Sequence, residues 1–176
     1  MKIKDREFEV YITEAEINEV VERIAAKINA DYAGQKLLVC PVLTGSFLFA
    51  ADLVRSLEME CEVEFVKYTS YEGMQSTGRV QAKLPFPARV KGRDVLIVED
   101  IVDTGTSMGH MLCELEKLEP RSVKVCSLFL KPGCFHGGFE VDYVGKEIGD
   151  EFIVGYGLDY DGEGRTLKEI FRTVDR

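Results

Sequence analysis

Val95-Leu96-Ile97-Val98-Glu99-Asp100-Ile101-Val102-Asp103-Thr104-Gly105-Thr106-Ser107-Met108-Gly109 joins an aliphatic run to three carboxylates and then to a turn of small, mostly hydroxylated residues. The run 95–98 has the length and composition of a strand buried on both faces, as in a parallel sheet, and is expected to end where its acids begin. Beyond it, Thr104-Gly105-Thr106-Ser107 offers hydroxyls, a glycine able to take positive φ, and backbone N–H groups at the start of a helix expected over 107–117. A helix N-terminus of this kind binds a phosphate monoester without needing a lysine. Carboxylates repel phosphate, so Glu99 and Asp100 must face something else. Ribose hydroxyls and Mg²⁺ suit them, because a carboxylate accepts hydrogen bonds from a diol and takes direct or water-mediated magnesium contacts. The implied ligand is a ribose 5-phosphate. The blander reading makes Glu99-Asp100 a solvated strand end and Asp103 an ordinary helix-start residue, but the small-residue turn favours phosphate.

Working outward, the chain alternates strands and helices. Residues 8–12 alternate like a short edge strand, and Thr13-x-x-Glu16 is a capping box opening a helix that runs to about Ala30. Ile17, Val20, Val21, Ile24, Ala25 and Ile28 give that helix one apolar stripe. A buried strand is expected over 36–42 and a helix over 47–57, and between them Leu43-Thr44-Gly45-Ser46 makes a second candidate anion site at the same sheet edge. Residues 62–68 alternate as one strand. The glycine-punctuated segment 69–78 is too long for a tight hairpin and reads as a mobile lid. Gly73 and Gly78 imitate the start of a Walker A pattern, but Arg79-Val80 follows where Lys-Ser/Thr is needed, so that reading fails. After the helix, Glu119-Pro120 breaks the chain and 122–130 forms another strand, completing a βαβαβ-like arrangement with Lys131 at its end.

With 176 residues, the chain suits one domain with a sizeable core. A net charge of −9 and the lack of a basic cluster argue against nucleic acid or an anionic membrane as the main partner. No apolar run is long enough to span a bilayer, and Met1 leads into charged sequence, which predicts a cytoplasmic protein without a leader. Cys40, Cys61, Cys113, Cys126 and Cys134 are odd in number and lack a Cys-x-x-Cys pair, so they read as core thiols rather than disulfides or zinc ligands. His110 and His136 are too isolated to suggest a metal site.

Val98 through Ser107 resembles the 5-phosphoribosyl 1-diphosphate (PRPP) motif of the type I phosphoribosyltransferases. More narrowly, the chain is similar to the hypoxanthine(-guanine) phosphoribosyltransferases, since Leu43-Thr44-Gly45-Ser46, Ser70-Tyr71, Lys131, Phe152-Ile153, Leu158-Asp159-Tyr160 and Arg165 fall in that family's order. The resemblance implies an α/β fold over residues 1–176. It has a central, mostly parallel twisted sheet flanked by helices, a mobile lid hairpin at about 69–83, and a small hood formed by the chain ends, its C-terminal part at about 150–176. It further implies that Glu99, Asp100, Asp103, Thr104, Gly105, Thr106 and Ser107 bind the ribose phosphate, and that Thr44, Gly45 and Arg165 hold pyrophosphate. Lys131 would donate to the purine 6-oxygen, Phe152 would stack on the base, and main-chain groups near Ile153 would read its edge. Ser70 and Tyr71 would close over the substrates, with Glu99, Asp100 and Asp159 holding magnesium.

The reaction this resemblance implies joins N9 of hypoxanthine or guanine to C1 of PRPP, expelling pyrophosphate, with Asp103 as general base for the N7 proton. Its partners would be the 6-oxopurine base and PRPP, in a homodimer or homotetramer, with neither nucleic acid nor membrane bound. The family often carries a cation where this sequence has Thr44, so backbone N–H groups, magnesium and the distant Arg165 are expected to hold the pyrophosphate here. Two other readings fit less well. A receiver-like signalling domain needs its acidic pair after the first strand, and here the pair follows several strands. A phosphoribosyltransferase-fold regulator that binds RNA runs against the acidic balance and the complete base-binding set.

Overall fold

A computed structural model of the chain describes residues 1–70 and 80–174. In chain order its elements are β1 (Lys2–Ile3), β2 (Arg6–Ile12), α1 (Glu14–Asp31), β3 (Lys36–Pro41), α2 (Phe47–Arg55), β4 (Glu60–Val63), β5 (Lys67–Ser70), β6 (Val80–Leu84), β7 (Asp94–Val102), α3 (Thr106–Glu116), β8 (Ser122–Leu130), β9 (Tyr143–Glu147), β10 (Ile153–Val154) and β11 (Ile170–Thr173). A short 3₁₀ turn, Ala88–Val90, precedes β7.

Five strands form the central sheet in the order β4-β3-β7-β8-β9, and every pairing in it is parallel. Strand alternation divides the core between the two faces. Leu37, Val39, Leu96, Val98, Cys126 and Leu128 pack with the apolar stripes of α1 and α2. Leu38, Cys40, Val95, Ile97 and Val125 pack on the other face with Met108, Met111 and Leu115 of α3. Helices α2 and α3 therefore lie on opposite faces, and their crossovers leave β3 and β7 in opposite directions along the sheet. That reversal opens a crevice at the carboxyl ends of β3 and β7, the usual ligand position in such sheets.

The capping box opens α1 as expected: Glu16 N–H donates to Thr13 Oγ1, and Thr13 N–H donates to the Glu16 carboxylate at 2.9 Å. Four expectations need correction. The strand that begins the motif does not end at Val98 but continues to Val102, because Glu99 and Ile101 stay in register with Ser127 and Phe129 of β8. Residues 62–68 are not one strand, since β4 pairs along β3 while β5 leaves that sheet to form an antiparallel ribbon with β6. The βαβαβ-like arrangement read as complete at residue 130 gains a further strand, since β9 pairs with β8. Of the cysteines only Cys40 and Cys126 are core residues; Cys61 and Cys134 are half-buried and Cys113 is exposed, and all five are free.

A second sheet, β1-β2-β11-β10, is built from both chain ends. It is the hood, carrying the segment from Phe152 to Arg165 over the carboxyl edge of the central sheet. No described helix is long and apolar enough to cross a membrane.

Candidate active site

Two adjoining cavities lie at the carboxyl ends of the strands. The larger, about 280 Å³, is lined by the Leu43-Thr44-Gly45 turn, Glu99, Asp100, Ser107, Asp159 and Arg165, among others. The smaller, about 130 Å³, is enclosed by residues 101–105 with Glu99, Ser107 and Met108. Glu99 and Ser107 border both. A ligand with a phosphate at one end and a diphosphate at the other can span them.

The smaller cavity opens at the Thr104–Ser107 turn. Gly105, at φ +84°, caps α3 in a left-handed conformation that a side chain would strain. The ring of Phe135 crowds the same spot, where a Cβ would come within 2.7 Å of it. Thr104 Oγ1 accepts from the Thr106 N–H at 3.3 Å, and the first turn of α3 itself contains no acid, which leaves its other free N–H groups available to an anion. His136 N–H donates to the Thr104 carbonyl at 3.2 Å, tying the Phe135–Phe139 loop behind the turn. That backing loop was not foreseen; its one sequence signal is the pair of phenylalanines flanking His136-Gly137-Gly138.

The Leu43–Ser46 turn is pinned on both sides. Val42 N–H donates to the Val98 carbonyl of β7, and Leu43 N–H to the Val66 carbonyl just before β5. The buried Ser46 hydroxyl donates to the Val42 carbonyl at 2.6 Å, closing the turn beneath α2. The Leu43-Thr44 peptide is cis. Gly45 lies directly on the Asp100 carboxylate, and any Cβ there would overlap it. A cation from another strand stands beside Thr44: Lys67 Nζ, from β5, donates to Thr44 Oγ1 at 3.4 Å.

Glu99 and Asp100 are both poorly solvated. Burial drives the Glu99 carboxyl well above its ordinary range, with the Asp100 charge adding to the effect, and burial raises Asp100 as well. Two adjacent buried carboxyls of this kind suit a hard divalent cation, which would favour the ionised form of both. Among the described residues no cluster of three His, Cys, Asp or Glu side chains is arranged to hold a metal. Magnesium fits such a site, because it is commonly bound by one or two carboxylates and completed by water and substrate phosphate oxygens.

The hood supplies the remaining residues. Arg165 is ion-paired to Asp159 at 2.6 Å and donates to the Gly157 carbonyl at 2.7 Å, while Asp159 also accepts from Gly162 N–H. Arg165 thus borders the larger cavity already paired to the acid expected to serve a second magnesium. At the end of β8, Lys131 is buried, its Nζ 3.7 Å from Asp103 and 3.4 Å from the Asp150 carbonyl. Phe152, two residues on, is 39% exposed, with the Arg6 guanidinium 5.3 Å from its ring centre and Tyr160 edge-on. Ile153 is buried in the pairing of β10 with β11. Ser70 ends β5, and Tyr71 lies outside the described residues.

The phosphoribosyl transferase domain family matches residues 12–161. Hypoxanthine-guanine phosphoribosyltransferase of Staphylococcus aureus is 37% identical over 167 residues, covering 94% of this chain and 89% of its own. The chain belongs to the hypoxanthine-guanine phosphoribosyltransferase family. The enzyme of that name from Mycobacterium bovis is 38% identical over 168 residues, covering 92% of this chain and 83% of its own. The crystal structure of a hypoxanthine-guanine phosphoribosyltransferase from Bacillus anthracis superposes with a TM-score of 0.90 at 33% identity, over 97% of this chain and all of the other. As a phosphoribosyltransferase, the protein is a transferase with the type I fold, its sheet edge and hood meeting at the crevice described above.

Proposed function

We propose that the protein serves purine salvage, converting hypoxanthine and guanine with PRPP to IMP and GMP plus diphosphate, at the cavities between β3, β7 and the hood. The observation that carries this reading is the closeness of Lys131 to Asp103, 3.7 Å apart beside the phosphate turn. A buried ammonium and an acid at that spacing can meet the two polar edges of a 6-oxopurine, the ammonium donating to O6 and the acid facing N7.

Each part of the chain then has a task. The Thr104–Ser107 turn holds the 5′-phosphate on the N-terminus of α3, and the Leu43–Ser46 turn receives the diphosphate. Lys131 orients the base, and Phe152 offers it an aromatic surface. Asp103 accepts the N7 proton as N9 bonds to C1 and the C1–O bond to diphosphate breaks. Magnesium, held by Glu99 and Asp100 with Asp159 as a further acid, would neutralise charge on the diphosphate when bound. The lid expected at about 69–83, of which 71–79 lie outside the described residues, would exclude water from a cationic ribosyl centre, where hydrolysis would compete with transfer.

Substituting Lys131→Ala tests the reading. KM for hypoxanthine and guanine should rise and discrimination against adenine should relax by about tenfold or more, because adenine presents an amino group where the lysine needs an acceptor. KM for PRPP should change little. Unaltered base preference would remove Lys131 from purine recognition.

A further inference from the structure

We propose that Lys67 is a substrate-binding residue that contacts the diphosphate of PRPP from outside the pyrophosphate turn; this rests on Leu43–Ser46 being that turn. Its Nζ stands 3.4 Å from Thr44 Oγ1, at the rim of the cavity that Thr44, Gly45 and the neighbouring Tyr68 line.

The position is built into the fold. Leu43 N–H bonds to the Val66 carbonyl, so the turn is anchored one residue before Lys67. Strand alternation alone would send Lys67 and Tyr68 to opposite faces. The register of β5 against β6 slips at that point: Lys67 pairs with Leu84 and Tyr68 with Ala82, leaving Lys83 as the extra residue. The extra residue lies on β6, and its bulge increases the local twist of the ribbon without turning consecutive β5 side chains to one face. Here Tyr68 lines the cavity while Lys67 reaches Thr44.

Charge gives the ammonium its purpose. Among the described residues the cavity is lined by three acids, Glu99, Asp100 and Asp159, and by one cation, Arg165, which is paired with Asp159. A diphosphate leaving with the electron pair of the C1–O bond gains negative charge in those surroundings. Thr44 contributes a hydroxyl but no charge. Among the described residues Lys67 forms no ion pair, so its ammonium can turn from the Thr44 hydroxyl to a phosphate oxygen. The diphosphate's side-chain cations therefore come from two strands of chain far apart in sequence, β5 and the hood.

The test uses the whole protein and two readouts: KM for PRPP, and Kd for magnesium pyrophosphate by titration calorimetry. Lys67→Ala should weaken both by about tenfold or more, the loss of a charge-assisted hydrogen bond, with KM for hypoxanthine unchanged. Lys67→Arg should stay near the parent, and Thr44→Lys placed in the Lys67→Ala background should restore part of the affinity by returning a cation to the turn. Gly45→Ala serves as the control on the turn itself, since its Cβ would overlap Asp100. If Gly45→Ala weakens pyrophosphate binding but Lys67→Ala leaves both constants within about twofold, the Lys67 assignment is overturned and the turn stands. If neither substitution weakens it, the turn is misassigned and Lys67 falls with it. A Lys67→Ala defect that spreads equally to hypoxanthine and that arginine does not rescue would mark a structural residue and also overturn the proposal.

Discussion

Asp103 is half-exposed, one residue beyond β7, with its carboxylate turned toward Lys131. A residue that merely started α3 would cap it, yet the cap position belongs to Gly105 and the capping-type contact to Thr104. Asp103 is therefore available for chemistry. We expect Asp103→Asn to retain PRPP binding, measured by calorimetry, while kcat falls by about 10²–10⁴-fold, the usual contribution of a general base. Turnover near that of the parent would return Asp103 to a positioning role. Much of this scale was legible beforehand, because hydroxyls, glycine and acids in one short stretch admit few physical arrangements. Lys67, Tyr68 and the Phe135–Phe139 loop were not. Each reaches the site through a pairing between segments distant in sequence, and nothing in their own neighbourhoods records it.

Among the elements, β7 carries the site at one end and a buried aspartate, paired with a largely exposed arginine, at the other. Asp94, 4% exposed at its start, accepts from Arg121 Nε at 2.9 Å, pairs a second time through Arg121 Nη2, and accepts from Ser122 Oγ at 2.7 Å. Arg121, then burial and Ser122, set the balance, which holds the Asp94 carboxyl below its usual range. A carboxyl depressed on folding adds stability above its unfolded pKa of about 3.9, and that stability is lost as pH falls through the folded value. Arg121→Ala should thus lower the urea midpoint of unfolding near neutrality. The acid unfolding limb should move to higher pH, and the gap between the two proteins should narrow below about pH 4. A deficit that persisted undiminished in acid would mean that packing, not charge, links β7 to β8 there. The strands the sequence did not reveal belong to this scale too. In β9, Gly145 interrupts the pattern because a Cβ there would meet the Leu128 carbonyl and Val20 of α1. β11 is four residues long and pairs chiefly with β2, at the far end of the chain.

For the whole molecule, the decisive event is the return of the C-terminal segment to the N-terminal strands. β11 pairs with both β2 and β10, and Thr173 N–H donates to the Phe152 carbonyl at 3.0 Å, so the aromatic expected to meet the base is held by both chain ends. Tyr156 reaches down to Asp52 of α2 at 2.6 Å, fastening the hood to the helix behind the Leu43–Ser46 turn. Alternating strands and helices announced the central sheet. The hood's segment 155–165, glycine-rich and acidic, reads by composition alone as surface loop, and only the resemblance gave its residues a task. Transfer to 6-oxopurines is measured by steady-state kinetics with magnesium, PRPP and each of hypoxanthine, guanine, xanthine and adenine, following nucleotide and pyrophosphate together. Hypoxanthine and guanine should give nucleotide and pyrophosphate in equal amounts, with kcat/KM for adenine lower by about 10²-fold or more. No nucleotide from either 6-oxopurine, or adenine used as well as hypoxanthine, would contradict it.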